Sequence, residues 1–142
     1  MKLPTYIPHK DHDVRIASAI KAIHAILPLD LYPAHKRELL SVCFWKITEA
    51  DGKSKVRYWS EGSLENPQSK LHHEHVNERR ALIKRLLDGE NVNSVVADAI
   101  ACMVTRDEHK RLGSSSLQGW ARYNEMGIRV YDSLEKRWLA QT

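Results

Sequence analysis

The sequence predicts a single, mostly helical α+β domain over residues 1–142, with a small ββα unit at residues 70–113. A chain of 142 residues can bury one hydrophobic core but leaves little room for a second domain. Hydrophobic residues make up 42% of the chain and charged residues 28%, which excludes a disordered tail. Apolar residues recur at helical spacing along most of the chain, whereas two short segments of the ββα unit fit strands. We therefore predict a helical part at residues 1–69 and a closing segment at residues 114–142.

Two amphipathic helices are predicted in the first third of the chain. The first covers residues 13–27 and ends at Pro28, because proline cannot continue the backbone hydrogen-bond ladder. Its apolar face consists of Ile16, Ile20, Ile23 and Leu27. The second helix covers residues 35–47. An alternative interpretation pairs residues 44–47 with residues 56–59 as a β-hairpin around an Asp-Gly turn. We prefer the helix, since strict alternation of apolar and polar residues is missing in the first arm.

The middle of the chain alternates short helices with an extended segment. Ser60 is predicted as the N-cap of a short helical turn at residues 61–64. Residues 70–76 follow a loop and are predicted as a strand or an extended arm. Further helices are predicted at residues 77–87 and 92–99, from their apolar residues at helical spacing.

A compact apolar run at residues 100–104 predicts a buried strand. Thr105 and Glu108 follow it at the spacing of a capping box, in which each side chain accepts a hydrogen bond from the other residue's backbone N–H. This box predicts a helix at residues 106–112. The closing segment is predicted to contain a helix at 120–126, a strand at 128–131 and a last helix at 133–140.

Charge and cysteine content limit the classes of function. Lys and Arg total 22 against 18 Asp and Glu, and the net charge of +4 is compatible with a nucleic-acid partner or with a solvated, mixed-charge surface. Two cysteines exclude a disulfide scaffold. No apolar run approaches the roughly 20 residues that span a bilayer, and the N-terminal residues lack the apolar stretch of a signal peptide. We therefore expect a cytoplasmic protein without a membrane partner.

Histidines are concentrated where the ββα unit is predicted. The chain has eight, and those in its first third follow no pattern. His72, His73 and His75 instead flank Glu74 on one short segment, and His109 lies in the helix after the buried strand. In a ββα unit, a residue near the end of the first arm can face one on the helix across a gap that fits one cation. Imidazole and carboxylate groups are ligands for divalent metals.

The segment Glu74-His75-Val76, followed by a strand and the helical His109, resembles the HNH (ββα-metal) nucleases. The flanking segments at residues 71–76 and 101–112 resemble a bacterial and phage branch of that family, as do residues 119–123 and 127–130. The resemblance implies that Glu74 and His109 bind a divalent cation and that His75 is the general base that activates water. It also implies hydrolysis of DNA with Mg²⁺ or Mn²⁺, or with Ni²⁺ or Zn²⁺.

A second register of the same motif is open. In it His72 is the metal ligand and His73 the general base. Alternation along a strand places His73 and His75 on one face, with His72 and Glu74 on the other. We favour Glu74 and His75 because Val76 then occupies the apolar position that follows the base.

Basic residues near the motif are candidates for contact with phosphate groups. They are Arg79, Arg80, Arg106 and Lys110. Other interpretations are a structural zinc site, with His109 or Cys102 as a further ligand, and an inactive HNH-like fold that binds nucleic acid or protein. A homodimer is possible with any of them.

Overall fold

The computed structural model describes residues 1–141, which contain seven helices and five short strands. In chain order they are α1 (His12–Ile26), α2 (Pro33–Thr48), β1 (Tyr58–Ser60), α3 (Glu61–Glu65), β2 (Leu71–His75), α4 (Arg79–Leu87), α5 (Val92–Ala97), β3 (Ala101–Thr105), α6 (Arg106–Gly113), α7 (Trp120–Glu125), β4 (Val130–Asp132) and β5 (Arg137–Trp138). The predicted α+β class with a majority of helices over strands is confirmed.

The strands form one mixed sheet in the order β2-β3-β1-β4-β5. β1 and β3 are parallel, with Tyr58 opposite Cys102, and the other pairs are antiparallel. β2 pairs with β3 so that Glu74 lies opposite Cys102 and His75 opposite Ala101. Because β2 is an edge strand, one side of its backbone has no strand beside it.

The side chains of β3 alternate between two packed layers, as expected for a strand covered on both faces. Cys102 and Val104 join a core with residues of α6, α7 and β4, among them Leu112 and Tyr123. Ala101 and Met103 pack with Val56 on the opposite face. A separate, larger core lies between α1, α2, α4 and α5 and contains Ile23, Leu40, Phe44, Leu82 and Val95. The structure thus packs a helical layer beside the sheet.

The N-terminal helices follow the periodicity predicted for them. α1 ends at Ile26, with Leu27 as its C-cap before Pro28, and α2 runs to Thr48. The helical interpretation of residues 44–47 is confirmed over the hairpin. With 16 residues α2 is the longest described helix, and no helix within residues 1–141 is long and apolar enough to cross a membrane.

Both predicted helix caps are present. The Ser60 hydroxyl accepts a hydrogen bond from the Ser63 backbone N–H at 3.0 Å. In the capping box of α6, the Thr105 hydroxyl accepts from the Glu108 backbone N–H at 3.1 Å, and the Glu108 carboxylate accepts from the Thr105 N–H at 2.9 Å. These bonds satisfy donors that a helix start otherwise leaves unpaired.

The elements differ from the sequence prediction by a few residues at several ends, and one predicted helix is a strand. α4 begins at Arg79 instead of residue 77, with Glu78 as its N-cap. The helix predicted at residues 133–140 is wrong, because this segment turns back and forms β5. The Asp132 side chain accepts hydrogen bonds from the backbone N–H groups of Leu134 and Glu135 at 3.0 and 3.2 Å. These bonds close a turn instead of starting a helix.

Candidate functional site

A cleft of about 770 Å³ opens at the edge of β2, between that strand, α2 and α4. Four of the predicted catalytic or metal-binding residues line it: His73, Glu74, His75 and His109. Its basic lining residues are Arg37, Arg79, Arg80 and Lys84. The fold therefore gathers the histidines of β2 and the helical histidine of α6 at one opening.

The β2 side chains enter the site from two faces of the strand. His73 and His75 lie on the face that packs against Trp45 of α2, with ring centroids 5.1 and 4.7 Å from the indole. Glu74 lies on the other face. All three residues are less than a tenth exposed. Because β2 is at the sheet edge, residues from both faces reach the same cleft.

Glu74 and His109 contact each other, although 35 residues separate them in the chain. Nδ1 of His109 is hydrogen-bonded to Oε2 of Glu74. The capping box at Thr105 starts α6 directly after β3, and β3 pairs with β2, so the helix carries its histidine to the carboxylate. The Glu74 side chain is 10% exposed and that of His109 is 49% exposed. The pair is thus buried on the carboxylate side and open on the imidazole side.

Sequence reasoning missed Arg122, a buried arginine on α7 that is 1% exposed. Its Nη2 donates to Glu74 Oε1 at 3.2 Å and to the backbone carbonyls of His75 and Val76 at 2.5 and 3.0 Å. The two Glu74 oxygens therefore meet two different groups, Arg122 and His109. One arginine in a short helix has no spacing pattern, and the sequence carried no signal of its burial.

Thr48, the last residue of α2, was also missed. Its hydroxyl oxygen lies 2.8 Å from Nε2 of His75 and 3.1 Å from Nε2 of His73. Nδ1 of His73 lies 2.7 Å from the Lys53 carbonyl oxygen. Both nitrogens of His73 therefore have protein partners.

Burial keeps these two imidazoles neutral. It lowers the pKa of His73 despite the hydrogen bond to the Lys53 carbonyl. Burial lowers the pKa of His75 to about 3, helped by repulsion from His73 in its protonated form and from Arg79 and Arg122. At neutral pH each ring can accept a proton.

His72 lies beside this site rather than in it. Its ring stacks on that of His109, with centroids 4.6 Å apart and planes 5° from parallel. Parallel stacking does not aim the ring nitrogens of both residues at one point. The structure therefore places His109, but not His72, against Glu74.

The basic candidates divide between two places. Arg79 lies in the cleft, with its guanidinium 4.8 Å from the Trp45 ring centroid and bonded to the Ser41 hydroxyl at 2.6 Å. Arg80 also lines the cleft and pairs with Glu78 at 2.7 Å. Arg106 instead lines a separate groove near the start of β2, and Lys110 is exposed on α6.

Within residues 1–141, no group of three or more His, Cys, Asp and Glu side chains is arranged to hold a metal. This arrangement does not support the structural zinc interpretation, because such sites use four protein ligands and Cys102 is fully buried in the core. A carboxylate and an imidazole at a cleft would fit a cation that takes its other ligands from water and phosphate, if the cation replaced the hydrogen bond that joins Glu74 to His109.

Comparisons of the chain with protein-family models, with curated proteins and with solved structures found no match.

Proposed function

We propose that the protein is a metal-dependent, HNH-like endonuclease that hydrolyses DNA phosphodiester bonds in the cleft beside β2. The observation that carries this proposal is the contact between Glu74 and His109 in a cleft that also contains His75. These are the residues for which the sequence resemblance implies metal binding and general-base catalysis. Glu74 and His109 would hold the cation, which would stabilise negative charge on the phosphate and the leaving oxygen.

Hydrolysis also needs a group that accepts a proton from the attacking water, and His75 suits that role better than His73. His73 has a protein partner at each ring nitrogen, so it would break a hydrogen bond to accept a proton. His75 has a partner only at Nε2 within the described chain, and its Nδ1 is free. A phosphate bound in the cleft would raise the low pKa of His75, since an opposite charge favours the protonated ring.

Arg79 is suited to bind the phosphate. The other cations of α4 in the cleft are paired, Arg80 with Glu78 and Lys84 with Asp88, both at 2.7 Å. Arg79 has no carboxylate partner among residues 1–141, and its guanidinium is held by the Ser41 hydroxyl and the Trp45 ring. An arginine held in this way can donate two hydrogen bonds to a phosphate.

One observation favours a second function, an inactive HNH-like fold that binds nucleic acid or protein. The buried Arg122 already places a positive charge against Glu74. This pair satisfies the carboxylate without a metal. A binding module would keep the cleft and its cations but would not cut DNA.

A plasmid-nicking assay separates the two functions. Purified protein is incubated with supercoiled DNA in Mg²⁺, Mn²⁺ or Ni²⁺, with EDTA as a control and a labelled RNA as the competing substrate. We expect metal-dependent nicking that is lost in His75→Ala and His109→Ala. His35→Ala is the matched control, because His35 is exposed at the start of α2 and outside the cleft. Absence of nicking by folded protein in every metal would overturn the nuclease proposal, and DNA binding without cutting would support the second function.

A further inference from the structure

We infer that Thr48 is a positioning residue whose hydroxyl fixes the tautomers of His73 and His75 and leaves Nδ1 of His75 as the proton acceptor in the cleft. The tautomer assignment follows from the hydrogen bonds alone. Its consequence for catalysis rests on the proposed nuclease function.

The Thr48 hydroxyl has one proton and several acceptors within reach. Besides the two imidazoles, its oxygen lies 3.2 Å from the Phe44 carbonyl and 3.4 Å from the Trp45 carbonyl. Both imidazole contacts are shorter, at 2.8 and 3.1 Å. A hydroxyl donates one hydrogen bond and accepts two, so only one of these acceptors can take the proton.

The proton of His73 can be placed first. A backbone carbonyl only accepts, so Nδ1 of His73 must carry the hydrogen that it donates to the Lys53 carbonyl at 2.7 Å. With that single proton on Nδ1, the Nε2 of His73 carries a lone pair. That lone pair needs a donor, and the Thr48 hydroxyl at 3.1 Å is in place to supply it.

The same count of donors and acceptors at Thr48 shows which nitrogen of His75 carries its proton. If Thr48 donates to His73, its oxygen can accept the N–H of His75 Nε2 at 2.8 Å. If Thr48 donates to His75 or to a helix carbonyl, the lone pair of His73 Nε2 faces an oxygen lone pair instead. One assignment satisfies all the groups: Nδ1–H on His73 and Nε2–H on His75. In that assignment Nδ1 of His75 carries the free lone pair.

This free nitrogen belongs to a side chain that lines the cleft and is 7% exposed. The fully buried side-chain nitrogen and oxygen atoms without a partner in residues 1–141 are Arg122 Nε and Tyr123 Oη. Nδ1 of His75 has no hydrogen-bond partner within residues 1–141 and is not among these fully buried atoms. It is thus the ring atom of the pair that can meet a water molecule in the cleft. The rings of His73 and His75 both contact the Trp45 ring, which holds them in place.

Thr48→Val removes the hydroxyl and keeps the shape of the side chain, so it tests this role. Without the hydroxyl, Nε2 of each ring loses its partner, and His75 can place its proton on either nitrogen. We expect nicking to fall about two- to fivefold, because loss of one ordinary hydrogen bond no longer holds His75 in the tautomer that accepts a proton at Nδ1. Thr48→Ser keeps the hydroxyl and should restore the rate.

The experiment records long-range ¹⁵N–¹H spectra of histidine rings in the full chain for the native protein, Thr48→Val and Thr48→Ser. These spectra report which nitrogen carries the proton and do not depend on activity. We expect the Nε2–H tautomer of His75 and the Nδ1–H tautomer of His73 in the native protein and in Thr48→Ser. Thr48→Val should show a mixture for His75. Thermal unfolding of each variant, which is unaffected by tautomers as such, checks that the fold is intact.

Four outcomes are distinguishable. Expected tautomers with a slower Thr48→Val enzyme would support the inference in full. Expected tautomers in a protein that never cuts DNA would support the tautomer assignment and overturn the proposed function. An Nδ1–H tautomer of His75 in the native protein would overturn the inference, whether or not the protein is a nuclease. So would a His75 tautomer in Thr48→Val that is the same as in the native protein. An altered tautomer with an unchanged cutting rate would overturn the positioning role.

Discussion

Arg122 Nη2 lies 3.2 Å from Glu74 Oε1, and the two side chains are 1% and 10% exposed. The same nitrogen donates to the carbonyls of the two residues that follow Glu74. The Arg122–Glu74 ion pair and the hydrogen bonds from Arg122 to two backbone carbonyls therefore connect α7 to the end of β2. Because Oε1 faces Arg122, Oε2 faces His109. The guanidinium thus fixes the direction of the carboxylate as well as the end of the strand.

Replacing Arg122 with methionine should destabilise the protein strongly. The substitution leaves the buried Glu74 carboxylate without its cation and the His75 carbonyl without the Arg122 donor, whereas the Val76 carbonyl keeps its bond from the Gly119 N–H at 3.2 Å. Removing one partner of a buried ion pair typically costs about 3–5 kcal/mol. Urea unfolding followed by circular dichroism measures the loss in free energy of unfolding.

A double variant separates the charge from the backbone bonds. Glu74→Gln with Arg122→Met removes both charges, and we expect it to be more stable than Arg122→Met alone. If the two variants were equally unstable, the bonds to the carbonyls of His75 and Val76 would account for the effect of Arg122 and the ion pair would not.

Gly62→Ala should destabilise the chain although it adds a methyl group to a helix. A Cβ atom at Gly62 would lie 2.7 and 2.9 Å from the Glu108 carboxylate oxygens. That carboxylate cannot easily move, since Oε1 accepts from the Ser60 hydroxyl at 2.6 Å and from the Thr105 N–H at 2.9 Å. Overpacking of this kind costs about 1–3 kcal/mol.

Gly113→Ala is the matched control for that substitution. Gly113 ends α6, is exposed, and has open space where a Cβ would lie. Alanine is the better helix former by up to about 1 kcal/mol, so we expect this variant to unfold at the same temperature as the native protein or higher. Equal melting temperatures for the two alanine variants would show that Gly62 is not constrained by Glu108.

The helices of this chain could be predicted because their signals are local. Hydrophobic spacing defined α1 and α2, and the Thr105–Glu108 spacing defined the start of α6. The same local signals placed the histidines of β2 and α6 on adjacent elements. The predicted juxtaposition of Glu74 with His109 needed only the pairing of β2 with β3 and the helix that follows.

The remaining features depend on contacts between distant residues. Apolar residues at 133–140 also fit a helix, but Asp132 closes a turn and Trp138 packs on Tyr131 at 5.3 Å, which favours a strand pair. Thr48 and Arg122 are single polar residues in helices, and their partners lie 25 to 48 residues away. Sequence spacing carries no information on such pairs.

Asp132 should make stability depend on pH in the acid range. Two hydrogen bonds of 2.7 Å from Arg57, stronger than the opposing effect of burial, hold the pKa of this carboxyl below its usual value. A lowered folded-state pKa stabilises the protein above the unfolded value of about 3.9, and this stability is lost as the pH falls through the folded value. We expect Asp132→Asn to cost about 1–3 kcal/mol at pH 7.

The pH profile of that variant distinguishes charge from shape. The difference in free energy of unfolding between native protein and Asp132→Asn should shrink as the pH is lowered below about 4, because the native carboxyl then becomes neutral as well. A difference that stays constant from pH 7 to pH 3 would mean that asparagine is costly for its shape and not for its lost charge.

Metal binding should depend on His109 and not on His72, although both lie near Glu74. His109 contacts the carboxylate, whereas His72 only stacks on the other ring at 4.6 Å. Titration of the full chain with Mn²⁺, followed by calorimetry, should show affinity that falls at least tenfold in His109→Ala and in Glu74→Gln. His72→Ala removes a neighbouring imidazole on the same strand as Glu74, so it controls for general loss of charge and packing. Its affinity for Mn²⁺ should stay within about threefold of the native value.

A stronger loss of Mn²⁺ affinity in His72→Ala than in Glu74→Gln would favour the second register, with His72 as the ligand. Equal binding by all four proteins would place the metal elsewhere and remove the support that the Glu74–His109 contact gives to a nuclease.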